Sequence, residues 1–330
     1  APAPAAAPSP SASPAAAPAA AAPAAAVEEP ELPKQLGSYG AFVAAMEVLQ
    51  KAAKAARGGQ VSSHPVLQKA KAASFGVSLC TVDGVQHSLG ASNAGFALGA
   101  ICHPLLYAIF LADGNAKASA LVGNRAASVD KPFDLPGNKA PNPLVASGAV
   151  ALASELAKGE PAYERSRAIF EVLTKLAGSP VGCDMAMFLS ATSEQAAVAA
   201  QAHWMASKDV IENATEALGL YQQASSALFT CDTLAVVGAT LANGGVNPTT
   251  KKQAVDADAA TKAVALMKSC TMGTNSQAIS LAGHGGEAGG LLLVLPGVCG
   301  VAIYSPPLNA DGISARGVEF ANAFQAKFGL

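Results

Sequence analysis

The chain has 330 residues, is 51% hydrophobic and carries a formal net charge of -2, enough for one or two domains with a sizeable core. Charged residues make up only 13% of it, about half the share of an ordinary soluble domain, and their near balance leaves no broad basic surface for nucleic acid. No apolar run reaches the roughly 18 to 20 residues that span a bilayer; the richest, Leu291 to Tyr304, is broken by Pro296 and Gly297.

Taken in chain order, residues 1 to 33 form an Ala/Pro tract, expected to be an extended, semi-rigid tail because it lacks the side chains to build a core. The start at Ala1 rather than Met leads us to expect an upstream targeting segment already removed, or an internal start. The tract is not itself an Arg-rich transit peptide, since the first basic residue is Lys34. From Gly37 to Arg57 apolar residues recur at helical spacing and Gly58-Gly59 ends the run, which predicts an amphipathic helix. Its Lys51, Lys54 and Arg57 read as a solvated face. Residues 75 to 90 hold two β-prone runs around Asp83-Gly84, a hairpin signal.

Mainly helical stretches follow at 94–112, 144–158, 161–176, 185–206, 209–221, 228–243 and 256–270. A glycine-rich stretch from Gly283 to Gly290 leads into a strand rather than a helix and lacks GK[ST], so it reads as a flexible loop and not a phosphate cradle. Residues 290 to 307 form a second hairpin turning at Pro296-Gly297, and 312 to 328 a closing helix. Two strand pairs separated by a long helical stretch predict an α+β fold: one antiparallel sheet completed by both ends of a domain spanning 34–330, with a helical lobe inserted at about 94–285. The six cysteines show no CxxC pair and no Cys/His zinc spacing. They read as small buried hydrophobes in a reducing compartment, and nothing in the chain calls for a metal or cofactor.

The segments TCDTLAVVGATLANGGVNP (230–248), ALMKSCTM (265–272), GGLLLVLPGVCG (289–300) and YSPPL (304–308), with GVSLCTVDG (76–84) and NPLVASGAV (142–150), resemble the glutaminase family in this order. The match runs from about Pro65 to Phe328. It implies the serine β-lactamase and penicillin-binding-protein scaffold, hydrolysis of L-glutamine to glutamate and ammonia, and assembly into dimers or tetramers. Chemistry in that family needs a Ser-x-x-Lys pair, whose spacing puts both groups on one helix face so that the lysine takes the serine proton. In FALGAICHPL (96–105) the serine position is Ala100 and the lysine position is His103.

Alanine has nothing with which to form an acyl-enzyme, so no catalytic residue is expected. Cys102 sits two residues on, roughly 200° around a helix, and its sulfur is expected to turn away from the pocket. The positions that would hold glutamine are likewise altered: Ser63 and Gly273 stand where tyrosines are usual, Ala146 and Val198 for asparagines, Ala191 for a glutamate, and Glu287 at a usually apolar position. Tyr221 alone remains as a substrate-contacting tyrosine, leaving His103 and Tyr221 as a vestigial pocket. Polar groups have become Ala, Val and Gly, the change expected when a pocket no longer binds a zwitterion.

The resulting expectation is a catalytically inactive glutaminase-like protein, a structural or accessory subunit bound to other proteins of a large assembly, with a homo-oligomer as a further possibility. An organelle is expected, the mitochondrion before the plastid, because relatives work there. The alternatives are a small-molecule sensor using the pocket around His103, Tyr221 and Glu287, and a residual glutaminase.

Overall fold

The computed structural model describes residues 29–113, 118–124, 133–270 and 279–329. Most of the Ala/Pro tail, and position 273, lie outside the described residues. Glu31–Leu330 forms one compact unit.

It begins with α1 (Tyr39–Ala55), the hairpin β1 (Gly76–Thr81) and β2 (Gln86–Gly90), and the short β3 (Phe96–Ala97). The lobe then adds α2 (Cys102–Ala112), α3 (Ala118–Leu121), α4 (Ala146–Ala153), α5 (Ala162–Ala177), β4 (Gly182–Cys183), α6 (Met185–Glu194), α7 (Ala196–Ser207), α8 (Ala214–Ser225), β5 (Ala227–Phe229), α9 (Cys231–Ala242) and α10 (Ala257–Ser269). The chain returns through β6 (Ala282–Gly285), β7 (Gly290–Leu295), β8 (Cys299–Tyr304) and α11 (Ala315–Phe328).

The main sheet is antiparallel throughout, in the order β2-β1-β8-β7-β6, so the two ends of the domain meet where β1 pairs with β8, Gly76 opposite Tyr304. The expected α+β architecture is present; the main sheet has one strand more than the two hairpins supply, and in place of the single sheet expected the lobe adds a small antiparallel sheet in the order β3-β5-β4. β1, β7 and β8 are buried along their whole length because both faces are covered. On one side Phe42 and Met46 of α1 and Phe320 and Phe324 of α11 pack against Val77, Leu79, Leu293 and Ile303. On the other, α9 and the lobe cover Cys80, Leu292, Val294 and Ala302. Burial on both faces explains why these strands read as continuous apolar runs rather than alternating ones.

The most specific sequence segment is the helix that makes this packing possible. α9 starts in a reciprocal capping box between Thr230 and Thr233 and is buried on nearly every side. It lies so close to β8 that a Cβ at Gly300 would fall 2.3 Å from the Ala239 nitrogen. In the lobe, Arg165 of α5 is buried and donates to the carbonyls of Ala153, Ser154 and Leu156 and to Glu216 of α8. It thereby ties α4, α5 and α8 together.

Several boundaries differ from the sequence reading. The 94–112 stretch begins with β3 and a single 3-10 turn, Gly99–Ile101, before α2. The 185–206 stretch is two helices that break at Gln195, whose backbone leaves helical geometry at φ -91, ψ 44. The helix expected at 209–221 starts later, where the Asn213 side chain caps α8 by accepting from the Glu216 amide. The glycine-rich stretch expected to be a flexible loop is instead strand β6, followed by a turn closed by the Gly286 amide donating to the Gly290 carbonyl.

Candidate functional site

The 3-10 turn and the first turn of α2 present Ala100, Cys102 and His103 to α8 and to the β6-β7 turn. The turn is anchored because the Leu98 amide donates to Ala227 of β5. His103 is 4% exposed; its Nδ1 lies 2.9 Å from the Leu144 carbonyl and its Nε2 3.2 Å from the Tyr221 hydroxyl of α8. A carbonyl can only accept, so Nδ1 carries the proton and the neutral ring's Nε2 accepts from the Tyr221 O–H. Burial depresses the basicity of His103, against smaller opposing pulls from the Leu144 carbonyl and Glu287, and raises the Tyr221 phenol well above its ordinary range. The pair is therefore neutral, with both ring nitrogens of His103 engaged.

Two groups complete the cluster. His284 of β6 lies with its ring centroid 5.5 Å from that of His103. It keeps some solvent-accessible surface, yet enclosure by protein pushes it down to about 3, with His103 adding to the shift. Glu287, in the β6-β7 turn, accepts the Ala100 amide through Oε2 at 3.1 Å.

The thiol of Cys102, at the start of α2, is buried. Burial first, and Glu287 second, push that thiol well above its ordinary range, so it carries no thiolate.

The structure gathers His103, Tyr221 and His284, with the Ala100–Glu287 contact beside them. Ala146 begins α4 two residues after the carbonyl that holds His103, and the Ala191 carbonyl accepts from Gln222, the neighbour of Tyr221. Val198 packs against the lobe core and Ser63 is exposed. His284 was missed by sequence reasoning. Its signal was a histidine three residues before an acid across a glycine pair, within a stretch read only for phosphate. Among the described residues no group of three or more His, Cys, Asp and Glu side chains is placed to hold a metal ion.

Among the described residues, no lysine or arginine is hydrogen-bonded to the cluster, position 100 is an alanine, and the acceptor lone pair of His103 faces the Tyr221 hydroxyl. His103 and Tyr221 form a neutral hydrogen-bonded pair, with the Glu287 carboxylate held by the Ala100 amide beside it.

The glutaminase family profile matches residues 58–330. A glutaminase of Nostoc sp. is 32% identical over 288 residues, covering 84% of this chain and 86% of that protein. The mitochondrial liver isoform of glutaminase from Mus musculus is 32% identical over 294 residues, covering 84% of this chain and 48% of that protein. The chain spans about half the length of the animal relatives it matches. Among solved structures, the probable glutaminase ybaS superposes with a TM-score of 0.82 at 30% identity over 87% of this chain and 96% of that one. Fold, motif order and these similarities agree: the chain belongs to the glutaminase family.

Proposed function

We propose that this chain is a non-catalytic glutaminase-family protein acting as a structural or accessory subunit of a larger organellar complex. One observation carries the first half: the residue at the nucleophile position is Ala100, and the residue at the lysine position, His103, is neutral and bonded at both nitrogens. In comparable enzymes, removal of the nucleophile alone costs about 10⁶-fold in turnover, roughly 8 kcal/mol of transition-state stabilisation. The accessory role is supported by the retained fold, by the 13% charge content, which suits a surface covered by neighbours, and by the Ala/Pro composition of residues 1–33, which suits a tail that contacts a partner rather than a core. No helix among the described residues is long and apolar enough to cross a membrane; the proposed partners are other protein subunits.

A mitochondrial setting is favoured by the mitochondrial relative. The names of the relatives favour a second reading, residual glutamine hydrolysis by displaced chemistry. Gentle extraction from the source and native size separation, with ammonia release assayed on the same fractions, decides between them. Co-migration with a much larger assembly and no ammonia supports the accessory role; a small homo-oligomer that releases ammonia overturns it.

A further inference from the structure

The Ala100 amide has no helical partner. The amides around it are served from nearby or from the lobe, Leu98 by Ala227, and Ile101 by Leu98. That of Ala100 is served by a side chain 187 positions away, the Glu287 carboxylate. An amide N–H without a backbone acceptor is satisfied well by an anion, and a carboxylate oxygen 3.1 Å away fills that role here.

The backbone is shaped around that carboxylate. Gly99 adopts φ +55, which side chains rarely adopt, and a Cβ there would lie 2.3 Å from Glu287 Oε2 and 2.7 Å from its Cδ, so any side chain at 99 would have to displace the carboxylate from the amide. The Glu287 turn is itself fixed, its Gly286 amide held by Gly290 and the Gly289 amide by Gly286. Glu287 is also the acid whose charge reaches Cys102, His103 and Tyr221, and among the described residues no lysine or arginine is hydrogen-bonded to it.

We propose that Glu287 is a built-in plug: its carboxylate occupies the Ala100 amide as an internal anion and closes the pocket to external carboxylates and developing oxyanions. The contact is autoinhibitory in form and would block the site even if a hydroxyl were restored at position 100. The inference rests on the site described under the functional proposal, and its outcome is independent of turnover, because it is read by anion binding and amide exchange rather than by ammonia.

The test uses the full chain and sodium acetate, with sodium chloride at matched ionic strength and fixed pH. In Glu287→Ala the Ala100 amide is freed and a cavity opens; acetate is expected to raise the thermal midpoint in a saturable way, whereas chloride does not. Hydrogen exchange of the Ala100 amide is expected to quicken about tenfold in that variant and to slow again with acetate. Wild type is expected to show no saturable acetate response. Failure of acetate to act on Glu287→Ala beyond chloride, or an equal response in wild type, overturns the plug. Should Glu287→Ala not fold, Glu287→Gln decides. It fills the same space without the charge, so the Ala100 amide is expected to exchange faster than in wild type with no acetate response; unchanged exchange, or an acetate response, overturns the proposal.

Discussion

Replacing Tyr221 by phenylalanine removes one oxygen and leaves the ring packing. The lost O–H is the donor to His103 Nε2 at 3.2 Å, inside a cluster where Tyr221 and His103 are 5% and 4% exposed. Phenylalanine cannot donate, and the buried lone pair of His103 is left bare. An unsatisfied buried acceptor costs about 1–3 kcal/mol, and for a unit of this size each kcal/mol moves the thermal midpoint by about 2 °C. The expected result is a melting point lower by roughly 2–6 °C and a matching drop in the urea midpoint at unchanged slope. Tyr163→Phe, at a residue 70% exposed, serves as the control and is expected to stay within about 0.5 kcal/mol of wild type. Nitrogen NMR of the His103 ring gives a second reading, with the proton on Nδ1. Stability equal to wild type, or a proton found on Nε2, would refute the hydrogen-bond assignment.

Other consequences follow from the same structure. His103 and His284 are held neutral by burial, with His284 pushed down to about 3; below the ordinary value of about 6.5 the unfolded chain therefore binds protons that the folded one refuses. Stability is full above that value and falls with decreasing pH, by up to about 1.4 kcal/mol per pH unit for each histidine. Urea titrations from pH 7 to pH 4 test it, and His284→Asn is expected to flatten the slope. Gly300→Ala drives a methyl against the α9 backbone at Ala239 and is expected to cost about 3 kcal/mol or more, read from chemical denaturation. Arg165→Met strips donors from three buried carbonyls and Glu216 and is expected to destabilise by about 3–5 kcal/mol. Ala100→Ser alone is expected to give no ammonia, because His103 Nε2 is already bonded to Tyr221 and Glu287 holds the neighbouring amide.

Much of the fold was legible because its largest elements carry strong local signals. The segments for β1, β7 and β8 are short apolar runs bounded by Asp-Gly or Pro-Gly turns, while α1 and α5 show one apolar stripe each. β6 was not legible: Ala-Gly-His-Gly has neither β-branched residues nor alternation, and it is a strand because β7 offers a paired edge. β3, β4 and β5 are two or three residues long, below the length at which any period shows, and their pairing decides their state. Nothing local marks the break at Gln195. The site was legible at positions 100 and 103, since spacing along one helix turn is a sequence property. The contacts of His103 with Leu144, Tyr221 and His284 join three separate elements, and the Glu287 bond spans 187 positions; only the folded chain brings these together.

The central claim, that this glutaminase-family chain does not hydrolyse glutamine, is tested most directly by ammonia release from L-glutamine by the purified protein, followed from pH 6 to pH 9 against a buffer control. The account predicts release indistinguishable from the control across that range. Release above the control that disappears on changing His103 would contradict it and place working chemistry at a site read here as closed.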